Sequence, residues 1–380
     1  MSKISLKHSG GNVVSLNSPT SAPTSADVAF KLPNADGLDG QALVTDGSGD
    51  LSFGNVAATR NLIINGAMRV SQRHGTSATT VTNAYVLDRF SFYHNVTNAV
   101  TSISQSTDNP GNGFTHSMRV DVTTAGTPGA TQHANINYNI EGQDLGHIDN
   151  GAATAKKLTL SFWVKSPKTG NHAVGLYKAG NTTRQTTKTY SVSSANTWEK
   201  KSITYDGDTA GGGLLITNGF GIGVNFFLAA GSSMTGTDST SWVNYSNAAY
   251  CNGHAVNCLD DAANDFYLTG VQLEVGSVAT DFKHRSFAQE LALCQRYFQI
   301  VVSGIDVGSE VSGTGIGIST TYPVKPRTTP TVTHQTLISS NRVDTPYANN
   351  VGADGFVGIA ISSSNGHPSW HSSFTVSAEL

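Results

Sequence analysis

Hydrophobic and polar positions alternate at every second residue through the middle of the chain. Leu158, Leu160, Phe162 and Val164 fall on one face of such a run, with Thr159, Ser161, Trp163 and Lys165 on the other. A period of two marks a half-buried strand. Gly219 to Leu228 forms another run, whose glycines point to a bulge or a close backbone approach. Strands with one apolar face pack as two sheets, so residues 61–283 are predicted to form a jelly-roll β-sandwich. Its first strand is expected in Asn61–Met68 and its last in Phe266–Gly276, the two pairing to close the module.

The period changes to 3.6 after this module. Ser286 and Gln289 have capping-box spacing, and Phe287, Leu291, Cys294 and Phe298 recur on one helical face. This predicts an amphipathic packing helix over 286–298, within a connecting region 284–300. Leu293 and Tyr297 widen the stripe, so the helix is expected to be well buried or shared between subunits. Residues 301–380 return to strands, with Phe356–Ser362 and Ser373–Leu380 the clearest. The Pro-rich run Thr321–Thr333 suits an edge. This is a small C-terminal β-domain.

Residues 1–60 form a separate N-terminal region. Asn17–Thr24 is rich in Pro, Ser and Thr and should be extended. Two short apolar runs flank Asp46-Gly47-Ser48-Gly49, which predicts a hairpin over 41–53. A lone hairpin is marginal in water and needs a partner surface. The expected fold class is therefore mainly β: an extended N-terminal region, a jelly roll, one helix and a small terminal β-domain.

Composition narrows the function classes. Charged residues are 13% of the 380, and the net charge is −3. No basic stripe exists for a phosphate backbone, so nucleic acid is not an expected partner. No apolar run approaches the roughly 20 residues of a membrane-spanning helix, so membrane insertion is not expected either. Met1–Lys7 lacks the apolar core of a secretory signal, which predicts a protein made in the cytoplasm and released by another route. Cys251 and Cys258 share a polar loop with His254, leaving three readings open: a disulfide, a metal clip or unpaired thiols.

Four segments resemble those of bacteriophage tail-fibre and receptor-binding proteins, especially of marine phages. They are "LPNADGLDGQALVTDGSGDLSF"; "RNLIINGAMRVSQRHGTS" leading to "YVLDRF"; "LTLSFWVKSPKTG" with "TWEKKSITYDGDT"; and "FYLTGVQLEVGSVATDFKHRSFAQELALCQRYF", followed by "YPVKPRTTPTVT" and "FTVSAEL". They span nearly the whole chain, in the family's order. The resemblance implies a virion fibre protein with a carbohydrate-binding-module-like jelly roll, usually a homotrimer. It would dock through residues 1–60 onto other tail or virion proteins and meet host-surface polysaccharide. A capsid-attached fibre or decoration protein and a polysaccharide depolymerase are the alternatives.

Sugar recognition uses exposed aromatics with amide and carboxylate groups around them. The candidates are Trp163, Tyr177, Trp242, Tyr245, Trp370 and His371, with Trp198 and Tyr250 behind them. Trp370 and His371, near His367 and Asn365, are expected on a loop before the last strand. Leu32, Leu43 and Phe53, with Phe287, Leu291 and Phe298 of the helix, are the candidates for attachment and oligomerisation. Related sugar-binding jelly rolls often hold a structural calcium. Here Arg69 and Thr269-Gly270 stand where acids would be expected, so no metal or cofactor is assigned. Asp260, Asp261 and Asp265 form a nearby acidic cluster. His74, His94, His116, His133 and His147 are scattered, with no G-x-S-x-G motif, so no catalytic residue is assigned. Glu141 with Asp144, or Asp260 with Asp265, are the acid pairs a glycosidase would need.

Overall fold

The computed structural model describes residues 3–7, 13–17, 31–33, 41–45, 51–55, 61–80, 83–180, 182–236, 240–308 and 310–380. The chain divides into two units, 1–59 and 60–380. In the first, Lys3–Lys7 pairs antiparallel with Val13–Asn17, and Gln41–Thr45 with Leu51–Asn55. The predicted hairpin is thus present, with Leu43 directly opposite Phe53. Its turn, like the Pro/Ser/Thr-rich run 18–24, lies outside the described residues. Leu32, Leu43 and Phe53 are exposed within this unit.

The second unit holds the jelly roll. One sheet has five antiparallel strands in the order 198–205, 158–165, 265–275, 117–124, 100–106. The other has seven, in the order 243–244, 184–192, 170–178, 220–230, 133–141, 90–94, 84–87. Alternation sets what lies between them. Leu158, Leu160, Phe162 and Val164 of the first sheet are buried together with Ile136, Tyr138, Ile140, Val174, Leu176, Val224 and Phe226 of the second. Each such side chain contributes about 1.5–3 kcal/mol by leaving water.

The closing pair is corrected in part. Phe266–Val275 belongs to the strand Asp265–Val275, but 61–70 is a turn-rich segment rather than a strand. It still docks beside its partner. The Leu62 amide donates to the Leu273 carbonyl (3.0 Å), and the Val271 amide to the Gly66 carbonyl (2.9 Å). The Asn61 side chain replaces missing ladder bonds, donating to the Val271 carbonyl and accepting from the Ile63 and Leu273 amides. A β-carbon on Gly66 would stand 2.1 Å from the Val271 carbonyl oxygen, so only glycine permits this approach.

The helix is shorter and less buried than its stripe predicts. It spans Phe287–Gln295, with the predicted capping box in place: the Ser286 hydroxyl accepts from the Gln289 amide, and the Gln289 side chain accepts from the Ser286 amide. Phe287 is exposed and Leu291 half-buried, whereas Glu290 and Cys294 are buried. Phe298 is buried, but as the first residue of the strand Phe298–Asp306. The buried face of this helix is thus partly polar, because it meets a salt-bridge network.

Beyond it, strands 298–306, 369–377 and 331–341 form one three-stranded sheet, and 315–321, 355–361 and 347–349 another. The Pro-rich run Thr321–Thr333 is corrected from edge strand to connector: residues 322–330 lie outside any strand and join Gly315–Thr321 to Thr331–Asn341, each at the edge of its sheet. Val301, Ile316, Phe356, Trp370, Phe374 and Val376 share the core between the sheets. Trp370 is therefore corrected from loop to core: it is fully buried in strand Ser369–Ser377. His371 follows it on the same strand and is half-buried on the opposite face.

Charged side chains join this region to the jelly roll. Arg89 is fully buried, pairs with Glu379 (2.7 Å) and lies 3.5 Å over the Tyr297 ring. Arg73 reaches the same carboxylate at 2.9 Å. Arg296 makes two bonds of 2.9 Å to buried Glu141, which also accepts from the Tyr297 hydroxyl. Glu290 accepts from the Asn65 amide and from Arg285. Asn65, in a left-handed turn (φ 60°), ties Val70 and Asp88 together through its side chain.

Candidate functional site

The outward face of the seven-stranded sheet carries the candidate site. Along His133–Glu141, Ile136, Tyr138 and Ile140 turn into the core, so Asn135, Asn137 and Asn139 turn outward. On two other strands of the sheet, 90–94 and 170–178, Tyr93 and Tyr177 project from the same face, and Tyr245 and Tyr250 come from the loop after 243–244. These residues surround an open groove of about 350 Å³, bordered also by Asn83, Ser91 and His133.

The rings form a continuous row. Tyr93 and His133 have centroids 5.1 Å apart, His133 and Tyr250 5.4 Å, Tyr250 and Tyr245 5.8 Å, and Tyr245 and Tyr177 5.5 Å. Successive rings meet edge-on or tilted, the arrangement their quadrupoles favour. Such a row offers both ring faces and hydroxyls to a ligand. The floor is amide: Asn225 Oδ1 accepts from both Asn135 (2.9 Å) and Asn137 (2.7 Å). That fixes the two amides by their NH₂ groups and leaves both carbonyl oxygens as acceptors, that of Asn135 buried and without a partner.

Burial sets the electrostatics. His133 is pushed down to about 4 by desolvation, so its ring is neutral at pH 7, and its Nδ1 lacks a partner. Desolvation also raises the Tyr245 and Tyr250 hydroxyls, which stay protonated donors. The groove is uncharged, with hydrogen-bonding groups set among aromatic faces. It is suited to a polyhydroxylated ligand.

Of the sequence candidates, the groove brings together Tyr177 and Tyr245, with Tyr250. It does not include the others. Trp163 lies on the outer face of the five-stranded sheet. Trp242 packs against the jelly-roll core and donates to the Asp206 carbonyl (2.8 Å). Trp198 donates to Asp108 (2.9 Å). Trp370 is core, as above, and His371 lies beside Ser339 (3.4 Å). The sequence reading missed Tyr93, Asn135 and Asn137 as lining residues and left His133 among scattered histidines. The alternation of asparagine with isoleucine and tyrosine in His133–Glu141 was the available signal.

Three of the four acids in these pairs are held in ion pairs with different cations. Glu141 is buried in its ion pair with Arg296, while Asp260 pairs with Lys168 (2.7 Å) and Asp265 with Arg119 (2.8 Å). Asp261 accepts from the Ala263 amide. Cys251, Cys258 and Cys294 are unpaired and buried. Burial pushes Cys258 up to about 12 and raises Cys251 as well. His254 Nδ1 accepts from the Ala173 amide (3.1 Å).

No protein-family model matches the chain, and no curated protein matches it. Solved structures do. The enzymatically active domain of bacteriophage CBA120 tailspike protein 4 aligns at 14% identity and a TM-score of 0.32, over 57% of this chain and 21% of that one. The chain thus spans about a fifth of that tailspike chain. A family 11 carbohydrate-binding module of a Clostridium thermocellum cellulosomal cellulase aligns at 11% identity and 0.29, over 55% of this chain and 99% of that one. A module described as CBM4 aligns at 12% and 0.28, over 56% and 97%.

Proposed function

We propose that this chain is a fibre protein of a bacteriophage particle that adheres to host-surface polysaccharide through the tyrosine groove of its jelly roll. The observation that carries the binding part is the row Tyr93–His133–Tyr250–Tyr245–Tyr177 above an asparagine floor with free acceptors. An uncharged aromatic groove with convergent amides takes a neutral glycan: the rings stack on apolar sugar faces and the amides take the hydroxyls. The fibre part rests on the resemblance of the sequence segments. Residues 1–60 would attach to the particle, where exposed Leu32, Leu43 and Phe53 offer contact surface, and the protein would work as a homotrimer without catalysis.

Purified protein and a Tyr177→Ala/Tyr245→Ala variant, compared for binding to host cells and to extracted host polysaccharide, test the groove. The expected result is at least a tenfold loss of affinity at an unchanged melting temperature. Equal binding by both proteins would refute the groove. Antibody labelling of intact particles tests the fibre assignment separately, by whether the label falls on tails.

A further inference from the structure

The opposite face of the jelly roll holds a second aromatic slot. Trp163 projects outward from the five-stranded sheet, directly across from Lys200 on the neighbouring strand. On its other side the pairing of 158–165 with 265–275 shifts register between Ser161 and Trp163. Gly270 lies at this bulge with φ +63°, and a β-carbon there would stand 2.9 Å from Trp163 and 2.8 Å from Phe114. The bulge and the missing side chain together keep the space beside the indole open.

Two loops wall this space. Phe114 comes from one, Phe282 and His284 from the other, and the three rings pack mutually at 4.9–5.0 Å. The slot measures about 420 Å³ and is also bordered by Asn112, Lys200 and Asp281. Among the described residues, no protein group partners the Trp163 indole N–H, the Lys200 ammonium or the Asp281 carboxylate. The other three indoles donate to Asp108, the Asp206 carbonyl and the Ile316 carbonyl. The slot therefore combines an aromatic wall with unused donors and an unused acceptor.

The geometry points to a second sugar site here, taking a single neutral hexopyranose ring. The ring would stack in the slot, Lys200 and the Trp163 indole would donate to its oxygens, and Asp281 would accept from a hydroxyl. One cation and one anion at the same slot leave no net charge to select a charged sugar. The two sites lie on opposite sheets, so one module would engage two glycan chains, or two parts of one chain, with the avidity that linkage brings.

The Trp163 indole N–H gives a nuclear magnetic resonance signal of its own. Titrating the full chain with methyl hexopyranosides (gluco, galacto and manno) should shift that signal for at least one sugar while the buried Trp370 signal stays fixed. Lys200→Met, at an exposed position, should weaken the effect about tenfold. Gly270→Ala should abolish it. The Tyr177→Ala/Tyr245→Ala variant should show it undiminished, which separates this site from the tyrosine groove. No shift with any of the three sugars, a shift with sodium glucuronate alone, or loss of the shift in the tyrosine variant would each overturn the proposal.

Discussion

The junction between the jelly roll and the C-terminal sheets differs sharply from the tyrosine groove. Most junction side chains come from the segments that carry the fibre resemblance: Asn65 from "NLIINGAM", Arg89 from "LDRF", Arg285, Glu290, Arg296 and Tyr297 from the helix run, and Glu379 from "SAEL"; Glu141, on the strand 133–141, comes from outside them. These side chains are buried or half-buried, and each is bonded to another of them or to Glu141. Groove side chains come mostly from stretches outside those segments and keep unused acceptors. The distinctive motifs thus describe mainly how the modules are bolted together, while the groove proposed for recognition lies on an ordinary strand face. Residues that must satisfy buried charges have few substitutes. A strand's outward face can change without disturbing the core.

The largest effect is expected from Glu379→Gln, which leaves the fully buried Arg89 guanidinium without its carboxylate partner. It should lower stability by about 3–5 kcal/mol in denaturant unfolding. Near-wild-type stability would mean that the junction is decoration. Acid probes the jelly roll instead. His133 and His254 are held by burial at about 4 and about 3, below the ordinary 6.5. The unfolded chain therefore binds protons first, and stability falls as pH drops below 6.5. Between pH 6 and 5 the two histidines together should cost about 2 kcal/mol. His133→Phe should remove about half of that slope. Next comes Gly66→Ala, whose β-carbon would meet the Val271 carbonyl; roughly 1–3 kcal/mol should be lost as the 61–66 segment lifts from its neighbour. Tyr177→Ala should change stability least, by under about 1 kcal/mol, while reducing glycan binding.

Local features were legible in the sequence. The alternation at Leu158–Lys165 placed its strand and its faces, and Ser286 with Gln289 located the helix start. Both signals lie within a few residues of chain. The helix end was misjudged because Tyr297 and Phe298 keep helical spacing while serving Glu141 and the next strand. Trp370 was misplaced because the Gly366-His367-Pro368 turn and the polar residues around it hid a core strand. The groove was legible only in parts. Its rings lie at 93, 133, 177, 245 and 250, and only the sheet order brings them into one row.

The Arg89–Glu379 pair has a kinetic consequence. It joins positions 290 residues apart, and Tyr85 and Asn139 also bond the carbonyl of Leu380. Contacts of such sequence separation form late, because the intervening chain must first be ordered. During synthesis Arg89 therefore has no Glu379 to pair with until the C-terminal sheets have been made. The unit 60–380 closes only once residue 379 is available, so a chain stopped short of it carries an uncompensated arginine and is the species that needs protection from aggregation.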